Sequence, residues 1–230
     1  MKEALSTPKL KTIYHRVARR YDFQHACFTA ASDQRGRHLL VEKVVTEGDN
    51  VLDCGAGTGR TGLMAARKVG TRGKVILLDL SNRMLAVAKE KAITADLLDR
   101  VEFLSGDMHH LPFQDHCFDA ALSTYSLCPL RDPRCGALEL YRVVRPGGRI
   151  GVAHSAEPQN VVLRWLARQI ETLVWRFPLI SLGCRPVSVL PVLEQAGGKI
   201  VFRKHIGMPL WPFIVFIIEK PEGGENLRTA

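Results

Sequence analysis

In the stretch VLDCGAGTGRTG, Val51 to Gly62, two glycine fingerprints overlap. From Gly57 the residues spell GxGxxG (Gly57, Gly59, Gly62), the turn that cradles a pyrophosphate, and an acid, Asp79, follows about 20 residues later to accept ribose hydroxyls. From Asp53 they spell DxGxGxG (Asp53, Gly55, Gly57, Gly59), in which a carboxylate stands beside the turn. A carboxylate there suits a positively charged cofactor, whereas a pyrophosphate needs anions kept away and a helix N-terminus aimed at it. The segment Asp53 to Ala56 separates the apolar Val51 and Leu52 from Gly57, so the turn begins at Gly55. These residues favour a cofactor with ammonium and sulfonium charges, S-adenosylmethionine, over a nicotinamide dinucleotide. Asp79 serves the ribose of either and does not discriminate.

Such residues need strand ends and helix starts to hold them. Short apolar runs predict strands at Asn50 to Cys54, Lys74 to Asp79, Val101 to Leu104, Phe118 to Ser123, Arg149 to His154, Ile200 to Lys204 and Trp211 to Glu219. Helical periodicity falls at residues ~8 to 20 and Ser32 to Val45, and then between the strands at Arg60 to Val69, Ser81 to Thr94, Arg134 to Arg142, Asn160 to Phe177 and Val187 to Gln195. Strands alternating with helices predict an α/β, Rossmann-like fold, a seven-stranded mainly parallel sheet with helices on both faces. Only the tail Glu222 to Ala230 reads as loose.

Beyond the glycine turn come GDMHHLPFQDHCFDAAL, with Asp107 closing the third strand, and YRVVRPGGRI; before it stands IYHRVARRYD. Together these resemble the class I methyltransferases, and within them the ubiquinone and menaquinone biosynthesis C-methyltransferase family, over Tyr14 to Pro158. The resemblance implies a methyltransferase domain over residues 1–230, with a basic helical lid at 1–45 and a helical insertion at 158–185. It places the cofactor against Asp53, Gly55, Ala56, Gly57, Thr58, Gly59, Asp79, Leu80, Met84, Asp107, Met108 and Thr124. Thr58 would touch the methionine part, Asp79 the ribose, Asp107 the adenine amino group and Met108 the ring.

Methyl transfer from an activated donor mainly requires alignment of the nucleophile, with a base only for some acceptors. The [DNS]PP[FYW] loop of amino-directed nucleic-acid enzymes is missing from STYSLCPLRDP, and no specific nucleic-acid partner is expected. The quinone enzymes have an Arg-Asn pair in this loop and an Asn after Tyr-Asp; here Cys128, Pro129 and His25 stand in those places. The loop and the closing HIGMPLWPFIVFIIEKP are more similar to bacterial phospholipid N-methyltransferases. A lipid acceptor, phospholipid amine or quinol, is therefore expected, with an RNA or a soluble metabolite as alternatives. Candidate catalytic residues are Tyr21, whose ring can face a sulfonium, and His25 and His154 as bases near neutral pH.

The segment NVVLRWLARQIETLVWRF puts Leu163, Leu166, Ile170, Leu173 and Phe177 on one helical face, opposite Arg164, Arg168 and Glu171. It reads either as a helix packed on the sheet with a wet outer face, or as an interfacial helix, Trp beside Arg suiting an anionic membrane. The net charge of +9 is concentrated at the start, where Lys2, Lys9, Lys11, Arg16, Arg19 and Arg20 face one acid, Glu3. The six cysteines form no CxxC pair, no metal site is expected, and reduced thiols suit a cytoplasmic protein, peripheral at a membrane. The start lacks the apolar core of a signal peptide, and the apolar run Pro209 to Ile218 is too short to span a bilayer. Oligomeric state is not legible.

Overall fold

The computed structural model describes residues 4–29 and 32–223. Lys2, Glu3 and most of the loose tail, from residue 224 on, lie outside them. The strands β1 (Asn50–Cys54), β2 (Lys74–Asp79), β3 (Val101–Ser105), β4 (Phe118–Thr124), β5 (Val144–Ser155), β6 (Lys199–Met208) and β7 (Trp211–Glu219) form one seven-stranded sheet in the order β3-β2-β1-β4-β5-β7-β6. β1 to β5 pair in parallel, and β7 runs antiparallel between β5 and β6.

Side chains alternate between the faces, as a strand period of two requires. Along β1 and β7, Val51, Val215 and Ile217 enter one core layer, while Leu52, Phe216 and Ile218 enter the other. The first layer is closed by α3 (Ser32–Val44), α4 (Arg60–Val69) and α5 (Asn82–Thr94), the second by α6 (Pro133–Val143) and α9 (Leu190–Gln195). With both faces covered, the strands can be near-continuously apolar. Strand order reverses at β1 and β4, and a crevice opens beyond the carboxyl ends of strands at such a switch point.

The basic helix expected over residues ~8 to 20 forms, and a second short helix follows it. α1 (Thr7–Val17) ends in a turn, and α2 (Tyr21–Thr29) follows. Leu10, Ile13 and Val17 of α1 are buried, Ile13 and Val17 against Met84 and Leu182. The helix expected over Asn160 to Phe177 forms over nearly that range, and a second short helix follows it. α7 (Val161–Val174) starts at Asn160, whose side chain accepts from the Val162 and Leu163 N–H groups, and α8 (Pro178–Ser181) restarts at a proline. The residue before a proline is pushed out of the helical region, which forces the break.

The apolar residues of α7 do not pack on the sheet, as one of its two readings had them. Leu166, Leu173 and Phe177 are exposed, with Val161, Val162 and Trp165, and only Ala167 is buried. Arg164, Arg168 and Glu171 border an open cavity together with Ile170, Arg168 remaining 63% exposed.

Candidate functional site

A cavity lies over the carboxyl ends of β1, β2 and β3, bounded above by α1 and Tyr21. Its floor is the expected turn: Gly55, Ala56, Gly57 and Thr58 all line it. Gly57 has φ +56°, and a Cβ built on it would meet nothing within 4 Å, so this backbone edge faces open space that a ligand can approach. Asp79 also lines the cavity and holds the turn: its carboxylate accepts from the Gly57 N–H and the Ser81 N–H, both at 2.8 Å. Burial raises its pKa against these two bonds. Asp107 stands across the cavity, one oxygen accepting from the backbone N–H (3.0 Å) and the Nδ1 (2.7 Å) of His109. Leu80, Met84, Met108 and Thr124 complete the expected set that reaches the wall.

Two expected residues do not. Gly59 is the N-cap of α4, and its turn faces inward, where a Cβ would press on Ala88 at 2.8 Å. Asp53 is fully buried beneath the turn. Burial pushes its carboxyl up to about 7, against the Arg37 charge. Both of its carboxylate oxygens are buried without a hydrogen-bond partner among the described residues, and the residue does not line the cavity.

Three residues of the site were not expected. Arg37 lines the cavity from α3 and is only 4% exposed. Its Nη1 donates to the hydroxyls of Thr61 and Thr124 at 2.7 Å each, its Nε lies 3.4 Å from Asp33, and its guanidinium sits 5.0 Å from the Tyr125 ring centroid. The readable signal was an acid and a base four apart on the buried face of α3. Asp22 of the Tyr-Asp pair accepts from the Thr58 hydroxyl at 2.6 Å and pairs with Arg60 at 3.0 Å and with Lys91. Tyr125, just past Thr124, has a left-handed backbone (φ 60°), costly for a tyrosine, and borders this cavity and a second one.

The second cavity has about 1470 Å³ of empty space against about 880 Å³ in the first. It lies between the polar face of α7, α8 and the β6–β7 hairpin, with Trp175, Trp211 and Phe213 among its walls. His25 lines it, stacked on Tyr21 with ring centroids 5.3 Å apart, its Nδ1 3.2 Å from Asp33. Tyr21 lines the first cavity, so the two residues bridge the spaces. His154 lines neither. It is 2% exposed, edge-on to Phe216, and its Nδ1 donates to the Ser155 carbonyl at 2.9 Å. Burial lowers its pKa to about 4, against that bond, so at neutral pH it is an uncharged core residue rather than the expected base. Among the described residues no group of three metal-ligating side chains comes together, and no helix is long and apolar enough to cross a membrane.

Residues 2–172 match the ubiE/COQ5 methyltransferase family. A ubiquinone/menaquinone biosynthesis C-methyltransferase of Teredinibacter turnerae is 32% identical over 152 residues, 66% of this chain and 61% of that protein. Its counterpart in a Marinomonas species is 31% identical over 166 residues, 70% and 66% of the two chains. The chain thus spans between 61% and 66% of the length of these two relatives. Among solved structures it is similar to a SAM dependent methyltransferase from Aquifex aeolicus, with TM-score 0.59 and 24% identity, covering 80% of this chain and 88% of that one. It is similar also to the [4+2]-cyclase SpnF, with TM-score 0.67 and 23% identity, covering 82% and 81%. At these identities the likeness speaks for the fold, which those two proteins put to different chemistry.

Proposed function

The chain belongs to the ubiE/COQ5 methyltransferase family, and from that premise we propose that it transfers a methyl group from S-adenosylmethionine to a lipid-like acceptor. The observation that carries the cofactor is the cradle: a glycine edge open to the cavity, with Asp79 and Asp107 on its rim. Bound there, the cofactor supplies a methyl group already activated on sulfur. Asp79 takes the ribose hydroxyls, Asp107 the adenine amino group and Met108 the ring, while Thr58 meets the methionine end. Arg37 offers its guanidinium to the carboxylate of that end, a charge-assisted contact in a water-poor wall. Tyr21, which lines the same cavity, would offer its ring face to the sulfonium.

The acceptor occupies the second cavity, whose aromatic and aliphatic walls suit an acyl or prenyl chain and whose Arg164 and Arg168 suit an acidic headgroup. Alignment of a lone pair with the methyl group is the chief task there. Cys128 and Pro129 standing where the quinone enzymes have Arg-Asn supports a phospholipid amine, which needs little base catalysis. The relatives' names favour a quinol, and so does one observation in this chain: His25 is oriented by Asp33 as a base would be. For either acceptor the N-terminal helices and the 158–185 insertion act as the lid of one methyltransferase domain.

The lid faces an anionic membrane from the cytoplasmic side. Trp165, Leu173 and Phe177 of the insertion and Phe23 of α2, 77% exposed, present apolar surface. Gln24 ties α2 to the Leu179 carbonyl at 2.6 Å, and Arg19 and Arg20 next to Phe23 supply charge. Incubation with labelled S-adenosylmethionine and a total lipid extract of the source cell tests the reading. Label in a phospholipid or a quinol supports it, and label only in RNA or a soluble metabolite overturns the lipid acceptor.

A further inference from the structure

The segment that leaves β3 turns back on itself at Asp107. One carboxylate oxygen, Oδ1, accepts twice from a single residue: from the backbone N–H of His109 at 3.0 Å and from its ring Nδ1 at 2.7 Å. The backbone bond is an ordinary Asx turn, in which an aspartate holds the residue two places on. The ring bond is additional. It leaves Oδ2 as the acceptor still to be filled: among the described residues no donor meets it, and the side chain is 34% exposed at the wall of the first cavity.

The ring is held from its other side as well. Nε2 accepts from the Asp132 N–H at 3.4 Å, and the His109 carbonyl accepts from the Cys135 thiol, also at 3.4 Å. Asp132 is the N-cap of α6, its Oδ1 accepting from the Arg134 and Cys135 N–H groups. A carboxylate only accepts and an amide N–H only donates, so the two partners select one tautomer, with the proton on Nδ1, and one orientation of the ring. His109 is thereby clamped between the end of β3 and the start of α6, and it too lines the cavity.

We propose that His109 is the positioning residue for the purine end of the cofactor: it fills Oδ1 of Asp107 and holds Oδ2 toward a 6-amino group, so that the site takes a 6-amino purine and rejects a 6-oxo one. The inference rests on the S-adenosylmethionine reading. A 6-oxo purine carries a carbonyl where adenine has its amino group, and a carboxylate facing that carbonyl sets two acceptors against each other. The oxo purine does offer a donor, N1–H, on the neighbouring ring atom. A carboxylate free to turn about its Cβ–Cγ bond can follow that donor, whereas two bonds from His109 to one oxygen keep Asp107 from doing so. Sites built to hydrogen-bond a substrate N–H reject the analogue that lacks it, because their acceptor is then left unpaired.

Calorimetry on the full chain with S-adenosylhomocysteine and its 6-oxo counterpart, S-inosylhomocysteine, tests this. Wild type should bind the amino compound on the order of 100-fold more tightly. His109→Ala should bring that ratio below about tenfold, mainly through weaker binding of the amino compound. His109→Asn, whose Nδ2 can stand where the ring Nδ1 does and donate to Asp107, should recover most of the ratio. A histidine with a structural role alone would lower the melting temperature and both affinities together, so an unchanged ratio in His109→Ala overturns the positioning role. A folded His109→Asn that is no more selective than His109→Ala overturns it too, as does a wild type that binds both compounds equally. A wild type that binds neither defeats the cofactor reading itself, and the inference falls with it.

Discussion

The Thr58 hydroxyl donates to the Asp22 carboxylate at 2.6 Å, so the glycine turn is held from above by the N-terminal Tyr-Asp pair. The same carboxylate pairs with Arg60 and Lys91. The segment that covers the first cavity and the turn that forms its floor are thereby coupled. An order or shift in one is felt by the other.

Asp22→Asn should lower stability by roughly 1 to 3 kcal/mol, because it removes an acceptor from two cations and a hydroxyl. Burial pushes this carboxyl up, but hydrogen bonds from Lys91 and Thr58 and the Lys91 and Arg60 charges outweigh it and hold it below 3.8. A depressed carboxyl stabilises the fold above its unfolded value and loses that contribution as pH falls through the folded one. The gap between wild type and variant in thermal melts should therefore be full at pH 6 to 7, roughly, and close below about pH 4. A gap that is independent of pH counts against the ionic role.

S-adenosylmethionine or its demethylated product should raise the melting temperature, and NAD should not. At about 100 times the dissociation constant the ligand contributes roughly 2.7 kcal/mol. Asp79→Ala should lose most of that shift, measured against its own unliganded baseline, since the turn also loses two backbone bonds. Stabilisation by NAD alone would reverse the cofactor assignment.

Arg37→Lys should separate the two ends of the cofactor. Loss of the planar fork costs a charge-assisted bond of about 1.5 to 3 kcal/mol, roughly a tenfold or greater rise in the dissociation constant for S-adenosylmethionine. Binding of methylthioadenosine, which has no carboxylate, should hardly change. Calorimetry with both ligands decides it, and equal losses would make Arg37 a purely structural residue.

His154→Gln should leave the pH profile of methyl transfer unchanged above neutrality. Its folded pKa, lowered to about 4 by burial, lies below the unfolded value of 6.5. The wild type therefore carries stability above pH 6.5 that it loses as pH falls toward 4, on the order of 3 kcal/mol. Denaturant melts across that window should show the slope in wild type and not in the variant. A lost acidic limb in the variant's activity profile would restore His154 as a base.

Anionic vesicles should bind the chain at low salt and release it as ionic strength rises, because exposed charge is screened over about 10 Å at 0.1 M. The double variant Trp165→Gln, Phe177→Gln should bind less, with its melting temperature nearly unchanged, since both side chains are already exposed. Equal sedimentation of variant and wild type with vesicles would remove α7 from the membrane face.

The sequence by itself determined the strand ends and the turn between them. Apolar runs bounded by charged or glycine residues leave little choice of strand, and Gly55 and Gly57 adopt left-handed angles that side chains resist. Asp79 and Asp107 follow from their places at strand ends. Only the tertiary structure decided which polar residues face a ligand and which face the core. Asp53 and His154 lie at or near strand ends as Asp79 does, yet both are buried away from the cavities, because successive side chains alternate and neighbouring elements cover some of them. In α7 the period identifies which residues share a face, but not which face turns inward. Here the charged residues border the second cavity, with Glu157 paired to Arg168 at 3.0 Å and the Arg164 Nε donating to the Pro158 carbonyl at 2.9 Å, while Leu166 and Leu173 are exposed. Arg37 and Tyr125 join segments far apart in the chain, and no local pattern encodes which distant side chains will meet.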